Sequence, residues 1–133
     1  MECVAIWAGE KGLDVEPHGL DIVPEFVALA RKRLPGWADR IHHGNALTWA
    51  PPQRYDFVRT GLEYVPAGRQ REFVTRLPAD VGDRLVIGPY TVDIGDERTE
   101  NDLADWGFKL SGKIETPHED PGGVRKLLWV DQS

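Results

Sequence analysis

Short apolar runs alternate along this chain with segments whose apolar residues recur at helical spacing, the pattern of an α/β fold. Val4 to Lys11 reads as a helix, with Val4, Ile6, Trp7 and Ala8 apolar and Gly12 as its C-terminal stop. His18-Gly19-Leu20-Asp21-Ile22 reads as a short strand ending in an acid. Pro24 stands where the next helix begins, and Glu25 complements its dipole. From Pro24 to Leu34 the apolar residues Phe26, Val27, Ala30 and Leu34 share one face, while Arg31, Lys32 and Arg33 gather at the C-terminal end. Pro35-Gly36 ends it.

Arg40-Ile41-His42 reads as an edge strand closed by a turn at Gly44-Asn45. Tyr55-Asp56-Phe57-Val58 is a strand entered from the Pro51-Pro52 breaker. Ala67 to Leu77 carries Phe73, Val74 and Leu77 among charges and reads as a helix ending at Pro78. Arg84 to Gly88 is a buried strand, and Thr99 to Trp106 a helix capped by Thr99 and stopped by Gly107. Phe108 to Glu115 and Arg125 to Val130 are strands joined by the His118 to Gly123 loop. Nothing helical separates them, so they are expected to pair antiparallel.

The 133 residues form a single domain by length, with 41% hydrophobic and 29% charged content, ordinary globular values. A net charge of −6 offers no electrostatic reason to expect nucleic acid as a partner. No apolar run approaches the roughly 20 residues of a membrane span, and no secretory signal is visible. One cysteine, Cys3, fits a reducing cytoplasmic setting and is expected to be a buried thiol.

A mostly parallel sheet binds its ligand at the carboxyl ends of its strands. Asp21 ends one strand, Asn45 follows another, and Thr60 to Tyr64 follow a third. A carboxylate at a strand end can accept both hydroxyls of a ribose, and an amide suits the edge of a purine. The same aspartate also suits a solvated turn that caps the next helix, and the pattern alone leaves both readings open.

Gly19 to Arg31 resembles the second strand and following helix of class I S-adenosylmethionine-dependent methyltransferases. Gly44-Asn45-Ala46 resembles the turn after their third strand, and Tyr55-Asp56-Phe57-Val58 their fourth strand. Asp102 to Phe108 and the terminal hairpin match the way those domains finish. The resemblance spans about residues 8 to 131. It implies a Rossmann-like fold, a mainly parallel sheet with a C-terminal antiparallel hairpin, and S-adenosylmethionine as cofactor. Asp21, with Ile22 beside it, would hold the ribose; Asn45 and Ala46 would border the adenine; Thr60 would complete the cofactor contacts. Asn45 stands where the family usually has Asp. Glu63 and Tyr64, in the substrate-facing segment, are the candidates for a general base. The Asn-Pro-Pro-Tyr type motif is missing, which argues against DNA adenine and protein glutamine and points to a small-molecule substrate.

The family's first strand and glycine-rich loop do not occur before Asp21, and residues 1–12 resemble a remnant of the helix that follows that loop. In the family's sheet order the missing strand lies between the second and fourth, so the gap is internal and leaves strand edges unpaired. Recruitment of Cys3 to Trp7 as a strand, a neighbouring chain, or a start upstream of Met1 would each fill it; the last is the expected one, and self-association through the open edges is expected if residues 1–133 are the whole protein. A non-catalytic methyltransferase-like binding or assembly module is the alternative function, and a protein that binds another nucleotide is a third class. His42-His43 with His18 and His118 suggest a metal site, but metal is not expected, because His42 and His43 are adjacent on a strand and point to opposite faces. Arg69, Arg71 and Glu72 read as a solvated helix face, and the tryptophans as packing residues, with Trp49 placed to border an adenine pocket.

Overall fold

The structure, a computed structural model, describes residues 1–89, 95–119 and 123–132. Its contacts divide the chain into two compact units, Met1–Ala50 and Pro51–Ser133, each described by itself.

In the first unit, α1 (Glu2–Glu10) precedes β1 (Gly19–Asp21), α2 (Pro24–Arg33), a 3-10 segment over Pro35–Arg40, and β2 (Ile41–His43). β1 and β2 pair parallel and in register, Gly19 with Ile41, Leu20 with His42 and Asp21 with His43. The α1 helix stops at Gly12, whose φ of 70° lets the Leu13 N–H reach back to the Ala8 carbonyl at 2.8 Å. Pro24 occupies the first turn of α2, and Arg31, Lys32 and Arg33 fill its last turn, as the dipole favours. Of the expected apolar face of α2 only Val27 is buried; Phe26 is 61% exposed. Ile41 is the buried residue of β2. The Arg31 guanidinium donates to the Ile41 carbonyl from Nε at 3.0 Å and from Nη2 at 2.6 Å, which ties α2 to the start of β2.

In the second unit the order is β3 (Tyr55–Thr60), α3 (Gln70–Arg76) flanked by 3-10 segments, β4 (Val81–Ile87), α4 (Arg98–Asp105), β5 (Gly112–Pro117) and β6 (Val124–Asp131). The sheet runs β3-β4-β6-β5. β3 and β4 are parallel, joined through α3, while β6 is antiparallel to both β4 and β5, so the expected terminal hairpin is present. Val81, Leu85 and Ile87 of β4 are buried, with Phe73 and Val74 of α3, Leu103 of α4 and Leu128 of β6. Gly112 faces Trp129 in register, and a Cβ there would lie 2.2 Å from the indole; only glycine admits so close a ring.

Several expectations are corrected. Residues Cys3 to Trp7 are helical and do not serve as a strand. Cys3 is exposed rather than buried, because α1 buries none of its residues. Thr99 lies inside α4 rather than capping it: Asp96 Oδ1 accepts the Arg98 N–H at 3.0 Å, so an upstream aspartate takes that role. Phe108 to Leu110 are not in β5, because the Phe108 N–H closes α4 on the Leu103 carbonyl at 2.9 Å. The helix expected over Ala67 to Leu77 is α-helical only at Gln70–Arg76, and Pro78 sits in a 3-10 segment, Leu77–Asp80, rather than ending it. Among the described residues no helix is long and apolar enough to cross a membrane. Most of the His118 to Gly123 loop's centre lies outside the described residues.

Lys126 is only 4% exposed. Its Nζ lies 2.5 Å from Glu100 Oε1 of α4 and 3.5 Å from Glu115 Oε2 of β5, and it donates to the Asp96 carbonyl. The Gly95 N–H, at 2.6 Å, leads Lys126 and Lys113 in holding the Glu115 carboxyl below its usual range. A buried ammonium is tolerated here because two carboxylates offset its charge and the Asp96 carbonyl accepts one of its protons. Lys126→Ala, which strands the Glu100 carboxylate, is expected to destabilise the chain by about 3–5 kcal/mol in urea unfolding, and Lys126→Met/Glu100→Gln to recover part of the loss.

Candidate functional site

Parallel, in-register pairing brings the carboxyl ends of β1 and β2 side by side. The chain leaving β2 turns back on β1, the Gly44 N–H donating to the Asp21 carbonyl at 3.0 Å. The His43 Nε2 donates to the Ile22 carbonyl at 3.1 Å, which fixes the backbone just past Asp21. Asp21 Oδ1 accepts the Val23 N–H at 2.8 Å, a turn closure at the mouth of α2. Oδ2 carries no hydrogen bond among the described residues and the side chain is exposed. Ile22, next to it, is 58% exposed.

Asn45 shows the same division of labour. Its Oδ1 accepts the Leu47 N–H at 3.0 Å, and its carbonyl accepts the Thr48 and Trp49 N–H groups at 2.9 and 2.7 Å. The amide Nδ2 is left to donate outward. Ala46 follows, half-buried. Asp21, Ile22, Asn45 and Ala46 are therefore gathered at one pair of strand ends: an open carboxylate oxygen, an exposed apolar side chain and an outward amide donor. A ribose diol and a purine edge need those groups.

Trp49 turns toward β2. Its ring lies 5.1 Å from His42, centroid to centroid and tilted 43°, and Cδ1 would be 2.8 Å from a Cβ on Gly44. Behind it lies a line of polar groups that the residue pattern did not bring together. Glu16 Oε1 and His18 Nε2 are 3.0 Å apart, and His18 Nδ1 and His42 Nε2 are 3.0 Å apart. The signal available was the parallel register, which sets the residue before Gly19 against the start of β2. The His18 bond, with Arg40 behind it, holds the Glu16 carboxyl below its usual range. Burial, then the charges of His18 and Arg31, push His42 below its ordinary value, with Asp39 opposing. No group of three or more His, Cys, Asp or Glu side chains suited to a metal occurs among the described residues.

The remaining candidates lie in the second unit. Thr60 ends β3; its Oγ1 donates to the Gly61 carbonyl at 2.9 Å and its own carbonyl accepts the Gly88 N–H at 2.9 Å. Glu63 Oε2 accepts the Leu62 N–H at 3.0 Å, folding the carboxylate over Gly61. Tyr64 is 83% exposed.

No family model and no curated protein sequence matches the chain. Solved structures do. The chain is similar to magnesium protoporphyrin IX methyltransferase (ChlM) from Synechocystis PCC 6803 with bound SAM, with a TM-score of 0.67 at 14% identity over 99% of this chain and 77% of that one. It is similar to the glycopeptide N-methyltransferase MtfA complexed with (S)-adenosyl-L-methionine, at 0.69 and 11% over 93% and 75%. For N-methyltransferase NodS from Bradyrhizobium japonicum WM9 the values are 0.64 and 15% over 84% and 70%. The chain thus has the Rossmann-like fold of class I S-adenosylmethionine-dependent methyltransferases.

Proposed function

We propose that the chain is an S-adenosylmethionine-dependent methyltransferase domain acting on a small molecule. The observation that carries this reading is the trio at the ends of β1 and β2: the open Oδ2 of Asp21, the exposed Ile22 and the outward Nδ2 of Asn45. Asp21 would accept the ribose hydroxyls, Ile22 would cover one face of the base, and Asn45 with Ala46 would read its edge. The similarity to methyltransferases solved with SAM bound supports the choice of cofactor.

When bound, the cofactor supplies a sulfonium methyl group open to in-line displacement. The protein's part is alignment of the acceptor and exclusion of water. Glu63 keeps one carboxylate oxygen outside its turn hydrogen bond and can take the acceptor's proton there.

Calorimetric titration with S-adenosylmethionine, adenosine and NAD tests the assignment. Adenosine and S-adenosylmethionine should both bind more tightly than NAD. Asp21→Ala should weaken both by about 1–3 kcal/mol, the cost of an unmatched polar contact. Unchanged affinity removes Asp21 from the site, and tighter NAD binding favours a different nucleotide. Release of S-adenosylhomocysteine over a panel of small amines, phenols and carboxylates tests the chemistry. Glu63→Gln should lower kcat by roughly 10²–10⁴ with cofactor affinity intact. Cofactor binding without any transfer supports the non-catalytic binding module instead. Among the described residues β1 pairs only with β2 and β3 only with β4, and strand edges invite pairing; sedimentation velocity should show concentration-dependent self-association, and a monomer throughout removes that proposal.

A further inference from the structure

We propose that Glu16, His18 and His42 form a proton-linked relay that holds Trp49 and the Asn45 turn in place, and that a second proton on the histidine pair releases them. The inference rests on the adenosine reading only for its effect on binding; the relay itself rests on geometry.

His18 Nδ1 and His42 Nε2 stand 3.0 Å apart, so one must donate and the other accept. Glu16 Oε1 accepts from His18 Nε2 at 3.0 Å, which leaves two protonation states that fit. With His18 neutral, its Nδ1 accepts and His42 Nε2–H donates. With His18 charged, both its nitrogens donate and His42 Nε2 accepts as a neutral ring. A second proton puts two N–H groups face to face and two positive charges on rings whose centroids are 5.3 Å apart. That state cannot keep the line, because both facing nitrogens then carry hydrogens.

The surroundings reinforce this. Arg31 of α2 and Arg40 of the 3-10 segment add positive charge, Arg40 Nε being 3.8 Å from Glu16 Oε1. Asp39 on the same segment opposes them. His42 is already pushed below its ordinary value of 6.5, first by burial. A histidine lowered in the folded state contributes stability that is present above its unfolded value and is lost as pH falls through its folded value. The loss therefore begins near pH 6.5 and grows below it.

The mechanical link runs through the rings. His42 packs on Trp49, Trp49 covers Gly44, and the Trp49 N–H closes the Asn45 turn at 2.7 Å. Gly44 in turn bonds the Asp21 carbonyl. Displacing the His42 ring removes the backing of Trp49 and loosens the turn that presents Asn45 beside Asp21.

Histidine ring-nitrogen NMR and the Trp49 indole resonance of the intact chain, followed from about pH 8 to about pH 5.5, read the relay without any ligand. The expected result is coupled titration of His18 and His42 with the Trp49 indole shifting in step. Independent titration of the two rings, or an unmoved indole, overturns the relay. Adenosine affinity measured over the same range should fall by roughly tenfold or more. In His42→Gln and His18→Gln, which keep polar groups but cannot titrate there, that dependence should disappear; its persistence overturns the link to binding. Asp21→Ala should bind adenosine weakly at every pH while its histidines and indole titrate as in the parent chain. Absence of adenosine binding at about pH 8 overturns the adenosine reading and the binding link with it, while the NMR titration still decides the relay.

Discussion

The parallel, in-register pairing of β1 with β2 is the constraint on which the candidate site depends. Parallel strands bring like ends together, so a residue ending one strand and the turn following the other become neighbours however far apart they are in sequence. Here that joins Asp21 to the Gly44-Asn45 turn, and the Gly44 N–H seals the junction on the Asp21 carbonyl. The Arg31 fork on the Ile41 carbonyl secures the other end of β2. Three-residue strands form few ladder bonds of their own, and these side-chain and turn hydrogen bonds supplement them.

The second unit solves a different problem. Its sheet changes from parallel to antiparallel at β4, and both helix α4 and strand β5 must be positioned against β6. Apolar packing at Leu85, Ile87, Leu103 and Leu128 supplies the area but no direction. Lys126 supplies direction, since its ammonium reaches Glu100 on α4 and Glu115 on β5 at once. A misregistered β5 would take Glu115 away from that buried charge, which penalises alternatives.

The acids and the amide singled out for chemistry are also turn residues. Asp21, Asn45 and Glu63 each give one side-chain oxygen to a nearby backbone N–H. A side chain anchored in this way loses little further freedom when its other polar atom meets a ligand. The turn and ligand roles of Asp21 are thus compatible, and the local hydrogen bond is what points the second oxygen outward.

Much of this was readable from local patterning, since helix stops, turn chemistry and strand composition act over a few residues. Pro24, Gly12 and Gly107 mark helix ends where the pattern placed them, and the helix-free link before Arg125 announced an antiparallel hairpin. Asp21 and Asn45 were legible because the ends of strands follow from the strands themselves. Burial was less legible. Phe26 fits an apolar helical face yet is 61% exposed, and Cys3 lies on a helix with no buried side, because periodicity names a face without saying whether anything covers it. The Thr99 cap failed for a related reason: an N-terminal turn can be closed by several nearby polar residues, and Asp96 was better placed. The contact of His18 with His42 and the reach of Lys126 to Glu100 and Glu115 join residues distant in the chain. Strand register and side-chain direction set such contacts, and both exist only once the sheets have formed.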